Sequence, residues 1–227
     1  MKLLKGIAWD HPRGFDPMVA TANLFQKKNP EVEIKWDKRP LQAFADRPIE
    51  EMAFDYDLMV IDHPHVGEAS RKNLIYELNN NKQYEGELIS LEKNSVGLSH
   101  QSYNFNDNQY ALAIDAAAPV SSYRSDLIEN PPSTFEETIK LAEQSKVIWP
   151  IKPVDSISCF NSIAANLNNP INKVPEKFVE KDLAVEILQM MKKLSQLVPK
   201  DCLSMNPINV LDIMSDSDDF YFCPQLY

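Results

Sequence analysis

The sequence predicts an α/β protein in which two successive stretches each alternate strand-forming with helix-forming segments. Three observations carry that reading. Short apolar runs at residues 3–8 and 56–61 have the length and composition of strands in a parallel sheet. The segments between them carry helix start and stop signals. A run of small residues, Asp115-Ala-Ala-Ala118, then separates this stretch from a second one of the same kind. Such alternation indicates strand–helix–strand crossovers. It divides the chain into a first lobe at residues 1–113 and a second at 114–227, each a sheet flanked by helices.

Residues 3–8 read as a buried strand. Asp16-Pro17 offers an N-cap followed by proline at the first helical position. Phe15, Met18, Ala22 and Phe25 follow at helical spacing, and Asn29-Pro30 ends the helix. Val32, Ile34 and Trp36 alternate with charged residues, the mark of a half-buried strand. Residues 48–54 suit a short helix, and 56–61 a parallel strand apolar on both faces. Asn79-Asn80-Asn81 marks a loop, and 85–96 suits a helix. Residues 103–105 and 110–114 flank the turn Asn106-Asp-Asn108 as a hairpin.

In the second stretch, residues 120–123 read as a strand, with Tyr123 and Arg124 pinning the crossover. Thr134 and Glu137 form a capping box at the head of a helix reaching residue 142. Residues 147–149 read as a short strand, and Asp155 as the cap of a helix through 165. Leu183, Ile187, Met190 or Met191, Leu194 and Leu197 make the apolar stripe of the longest amphipathic helix. Residues 220–223 give a last strand.

Composition narrows the partners. The 227 residues are 44% hydrophobic and 25% charged, ordinary for a globular protein with a sizeable core. A formal net charge of −10 argues against nucleic acid and anionic membrane surfaces, leaving a small molecule or a protein. The apolar stretch at the N-terminus is too short and interrupted for a signal peptide or a membrane span. As written, the chain is therefore cytosolic, or a mature or engineered form. Three cysteines, Cys159, Cys202 and Cys223, show no CxxC spacing and read as buried free thiols.

Three loops follow strands, where open α/β sheets bind ligands. They are Trp9-Asp10-His11-Pro12-Arg13-Gly14, Asp62-His63-Pro64-His65 and Asp115-Ala116-Ala117-Ala118. Three of the four histidines sit in them. Four readings compete. His11, His63 and His65 with Asp10 or Asp62 could ligate a metal, but neither helical spacing nor a cysteine supports it. A histidine–carboxylate pair could do acid–base chemistry, but no nucleophile elbow, HExxH or phosphate loop accompanies it.

A binding site could use Trp9 and Trp149 for stacking, with Asp10, Asp62 and Asp115 accepting hydroxyl hydrogen bonds, as a sugar or polyol requires. Arg13 and the histidines would instead suit an anion. The fourth reading is structural: Trp9 in the core, the aspartates as caps, the histidines satisfied locally. Trp149 and Asp155 carry the same ambiguity, as core and cap or as cleft residues.

A resemblance covers essentially the whole chain. Tyr110-Ala-Leu-Ala-Ile-Asp115, Ser122-Tyr123-Arg124-Ser-Asp126-Leu127 and Pro132-Ser-Thr134-Phe135-Glu136-Glu137-Thr138 are similar to the central signature of extracellular solute-binding proteins of the sugar-transport type. The opening residues 4–14, the runs 41–46 and 57–65 and the closing Phe222-Cys223-Pro224 resemble a subgroup of that family.

The resemblance implies a two-lobed periplasmic-binding-protein-like fold of type 2, with solute held between lobes that close by a hinge. By position, Trp9, Asp10, His11 and Arg13 would line the first lobe's wall beside Asp62, His63 and His65. Asp115 would lie at the hinge, and Trp149 and Asp155 on the second lobe. The implied protein is the non-catalytic, monomeric substrate-binding component of an ABC importer, needing no cofactor and partnered by membrane permease subunits. It would work in the periplasm or on the outer cell surface, the cytoplasm being the alternative. Its solute would be a carbohydrate or polyol, with an anionic metabolite or a metal-dependent enzyme as alternatives. Family members are longer, so a C-terminal return segment is expected to be missing. The first lobe would then be incomplete and the chain marginally stable.

Overall fold

Eight residues with little side-chain bulk at the centre, β1 (Lys2–Trp9), form the middle strand of a three-stranded parallel sheet ordered β2-β1-β3. Its partner β2 (Val32–Arg39) runs in register from Lys2↔Val32 to Trp9↔Arg39. On the other side, β3 (Leu58–Met59) pairs through Gly6↔Leu58 and Ile7↔Met59. This computed structural model describes residues 1–40, 48–174 and 176–226, so the run 41–46 lies outside the described residues. The chain divides into two compact units, Met1–Ala116 and Ala117–Tyr227.

Gly6 is required where it stands. A Cβ there would sit 2.5 Å from the Trp36 ring on β2, so the indole lies flat against the central strand only because no side chain intervenes. The third strand is thinner than its apolar sequence suggests. Only two of the residues at 56–61 form ladder pairs, and Leu58 is 36% exposed. Two further backbone bonds, Asp57 N–H to the Lys5 carbonyl and Val60 N–H to the Ile7 carbonyl, prolong the alignment.

The first helix begins earlier than expected. α1 spans Pro12–Lys28, with His11 rather than Asp16 at the N-cap. His11 has extended backbone, and its Nδ1 accepts from the Arg13 N–H at 3.2 Å. Pro12 then has the fixed φ of a first helical residue and no N–H to lose. Pro17 therefore falls inside the helix, where it removes the bond that would reach the Arg13 carbonyl.

Two short helices, α2 (Ile49–Asp55) and α3 (Val66–Arg71), supply most residues of one apolar cluster in the first unit. Ile49, Met52, Ile61, Val66 and Ala69 form it, with Tyr103, Phe105 and Tyr110 packed against them. Next comes α4 (Glu85–Asn94), which buries none of its residues. The hairpin is real but shorter than expected. β4 (Asn104–Phe105) and β5 (Asn108–Gln109) pair antiparallel, while residues 110–114 lie outside any strand. Asn106 and Asp107 both have positive φ, 51° and 64°, the pair of conformations a two-residue hairpin turn of type I′ demands.

In the second unit, β6 (Val120–Tyr123) pairs antiparallel with β7 (Phe222–Leu226). Between them run α5 (Phe135–Glu143), α6 (Pro153–Asn166), α7 (Lys181–Ser195) and α8 (Pro207–Asp216). Thr134 and Glu137 close the capping box that starts α5. The strand expected at 147–149 reduces to a single bridge, Val147↔Phe222, with the Ile148 N–H donating to the Phe222 carbonyl. Pro150 has no N–H to extend the ladder. Ile187 and Leu194 of α7 are buried, and Met191 is the methionine that packs inward.

No helix was foreseen at 207–216, though its signals are plain. Asn206 and Asn209 form a capping box, with Pro207 in the first turn. Arg124 clamps the far end of that helix, donating to the carbonyls of Met214 and Ser217 while pairing with Asp126 and Asp218. All three cysteines are free and buried. Among the described residues, no helix is long and apolar enough to cross a membrane.

Candidate ligand-binding site

Parallel strands end on the same edge of their sheet, so the loops leaving β1 and β3 emerge together. At the end of β1 the chain turns sharply. The Asp10 N–H donates to the Arg39 carbonyl and the His11 N–H to the Trp9 carbonyl. This turn stacks the His11 ring on the Trp9 indole, with centroids 4.3 Å apart and planes 12° from parallel. The Arg13 guanidinium lies 5.1 Å from the Trp9 ring centroid. Gly14 lets the first turn of α1 approach this closely, since a Cβ there would sit 3.0 Å from the Trp9 Cβ.

The charges around this turn are matched in pairs. Lys38 lies 3.1 Å from Asp10, and Arg13 lies 3.5 Å from Asp115. Both pairs are well exposed and contribute at most about 1 kcal/mol each, so a ligand could displace either partner at small cost. Asp115 is also held locally, its Oδ1 accepting from the Ala116 N–H.

Asp62 stands at the end of β3, where a 3₁₀ turn, His63–His65, begins. The charges of Asp62 and Asp115 both bear on Tyr103. This phenol donates to the Ile61 carbonyl at 3.2 Å. Burial pushes its pKa up, and the Asp62 and Asp115 carboxylates push it further. Arg39, buried at the end of β2, donates to the Val60 carbonyl at 2.7 Å and so fixes the backbone that leads into Asp62.

Trp9, Asp10, His11, Arg13, Asp62 and Asp115 are thus brought to one edge of the first unit. Sequence reasoning missed three residues there. Lys38 and Arg39 could have been found from register, because both end a strand parallel to β1. Tyr103 could not, since nothing in its neighbours separates it from a core tyrosine.

The histidines do not converge. His11 is committed as helix cap and stacking partner, His63 is exposed and His65 half-buried. Among the described residues, no three His, Cys, Asp or Glu side chains are grouped to hold a metal ion.

The two second-unit candidates are interior residues. Trp149 is 3% exposed, its indole N–H donating to the Cys159 sulfur at 3.2 Å. Asp155 is not the cap of α6. Lys152 holds that position, Pro153 starts the helix, and Asp155 falls in its first turn. It is 5% exposed, and its Oδ2 has no hydrogen-bond partner among the described residues. Burial pushes the carboxyl up to about 6, opposed by the charge of Lys152.

Solved structures share this fold. A maltose-bound T. maritima protein matches with a TM-score of 0.77 at 14% identity, over 100% of this chain and 61% of its own. A ribitol complex of an ABC transporter solute-binding protein from Agrobacterium radiobacter gives 0.78 at 14% identity, over 99% and 60%. The maltotriose-binding protein of Thermus thermophilus gives 0.67 at 16% identity, over 99% and 61%. No family model matches the sequence, and no curated protein is similar to it. The fold is the two-lobed, periplasmic-binding-protein-like α/β fold of type 2, and the chain spans about three fifths of the length of these structures.

Proposed function

We propose that the chain is the solute-holding part of an ABC importer's substrate-binding protein, working outside the cytoplasm and delivering to membrane permease subunits. Its solute is a carbohydrate or polyol. The observation that carries this reading is the strand-end group of the first unit, in which a half-buried indole, Trp9, shares the sheet edge with the carboxylates of Asp10, Asp62 and Asp115. An aromatic face with several hydroxyl acceptors is what a sugar or polyol needs. The fold adds support, since maltose, ribitol and maltotriose are named with the similar structures. An anionic solute fits less well, because it would face the carboxylates of Asp10, Asp62 and Asp115. The reading does not involve catalysis.

A thermal-shift panel of malto-oligosaccharides, pentitols, hexitols and organic acids tests the proposal. A ligand at about 100 times its Kd adds about 2.7 kcal/mol of stability. A sugar or polyol should raise the midpoint and quench Trp9 fluorescence, and Trp9→Ala should abolish the shift. Stabilisation by organic acids alone would overturn the carbohydrate assignment.

A further inference from the structure

The first unit holds a second concavity that shares no residue with the strand-end group. Its volume is about 630 Å³, within the range of small-molecule sites. One wall is a face of α4, on which Leu88, Ile89 and Glu92 follow at helical spacing. The opposite wall includes His100 and Gln109, which are only 7% and 6% exposed.

Two buried polar groups here have unused capacity. Gln109 donates both protons of its amide, to the His100 carbonyl at 2.9 Å and the Ala111 carbonyl at 2.8 Å. That fixes which end of the amide is which and leaves Oε1 as an acceptor. Among the described residues the His100 imidazole has no hydrogen-bond partner, although the residue is almost fully buried. A neutral imidazole has one N–H and one acceptor nitrogen, so the ring offers the cavity an acceptor. The Glu92 carboxylate, bonded only to Gln101 at a long 3.4 Å, completes a set of three acceptors. Leu88 and Ile89 continue the wall with aliphatic surface. Lys82 and Glu85 also line the cavity, and their opposite charges together favour neither sign.

We infer that this cavity is a second ligand site, for a primary aliphatic amine whose ammonium group meets Glu92, His100 and Gln109 and whose chain lies along Leu88 and Ile89. An ammonium carries three donors for the three acceptors. An alcohol offers one donor and no charge, and a carboxylate would face Glu92.

Titration calorimetry on the whole chain tests this with hexylamine, hexanol and hexanoate. Hexylamine should bind, and the other two should be at least ten-fold weaker. Glu92→Gln should weaken hexylamine at least five-fold. Glu87→Gln, the same loss of charge on the opposite face of α4, should leave it unchanged. Hexanol binding as well as hexylamine, or equal hexylamine affinity in both variants, would overturn the proposal. Sugar or polyol binding is read separately by the Trp9 panel, so either conclusion can fail without the other.

Discussion

Both units place a tryptophan just ahead of a proline-initiated helix, and the two junctions end up in opposite environments. In the first unit, Trp9 leads through Asp10 and His11 to Pro12, and its indole is reached by His11 and Arg13 at the surface. In the second, Trp149 leads through Pro150, Ile151 and Lys152 to Pro153, and its indole is sealed in the core against Cys159. The linking residues account for the difference. Asp10 and His11 cannot be buried without partners, so the chain keeps that turn wet. The run Val147-Ile148-Trp149-Pro150-Ile151 has no polar side chain except the indole N–H, and the whole run is buried. The same local syntax therefore yields a half-buried indole at the surface once and a fully buried one once.

The largest test of this contrast exchanges each indole for a methyl group. Trp149→Ala should cost about 3–5 kcal/mol, the usual range for emptying a core site of this size. Against a total stability of about 5–15 kcal/mol, the urea midpoint should fall steeply. Trp9→Ala should cost much less than Trp149→Ala, since the indole is only half-buried, while removing solute binding. Equal losses of stability in the two variants would erase the distinction.

A second test uses pH at the buried acid beside Trp149. Asp155 has a native pKa of about 6 against 3.8 when unperturbed. The native state therefore binds more protons between these values, and stability falls as pH rises from about 4 to about 6. The loss is on the order of 2–3 kcal/mol. Asp155→Asn should raise the urea midpoint at pH 8 and change it little at pH 4. A variant with the same pH dependence as the parent would show that another group is responsible.

Smaller effects sharpen the picture at the helix starts. His11→Ala removes a cap and a ring stack, and should lower stability by about 1 kcal/mol. Thr134→Ala should cost a similar amount with no effect on solute binding, whereas His11→Ala should also weaken binding. Arg13→Ala should change stability least, by under about 1 kcal/mol, and its effect on sugar affinity measures whether the pair with Asp115 has to open. Urea melts with parallel thermal-shift titrations check all three.

Much of the fold was legible because it depends on local signals. The capping box at Thr134, the stripe of α7 and the alternation in β2 each specify their element within a few residues. What escaped depended on competition or on distance. Asp16-Pro17 is a valid helix start, but His11-Pro12 is another, closer to the end of β1, and the earlier one wins. The apolar run 56–61 suggested a fully covered strand, yet Leu58 remains partly exposed, because coverage is a property of neighbours rather than of the strand. The strand-end group at Trp9 was readable from position in an α/β sheet. Tyr103 was not, because it arrives from 41 residues downstream of Asp62.

All the sulfhydryl groups of this protein lie in the second unit: Cys159, Cys202 and Cys223. Burial holds the thiols of Cys159 and Cys223 near 12 and raises that of Cys202. At neutral pH the thiolate that alkylating and disulfide reagents attack is scarcely populated in the closed protein. Alkylation therefore proceeds through opening of the second unit and is blind to opening of the first. Pulsed alkylation followed by intact-mass measurement thus provides a clock for one half of the molecule, with no engineered label. Run with and without solute, it reports whether occupancy at the Trp9 edge changes the opening of the second unit at all.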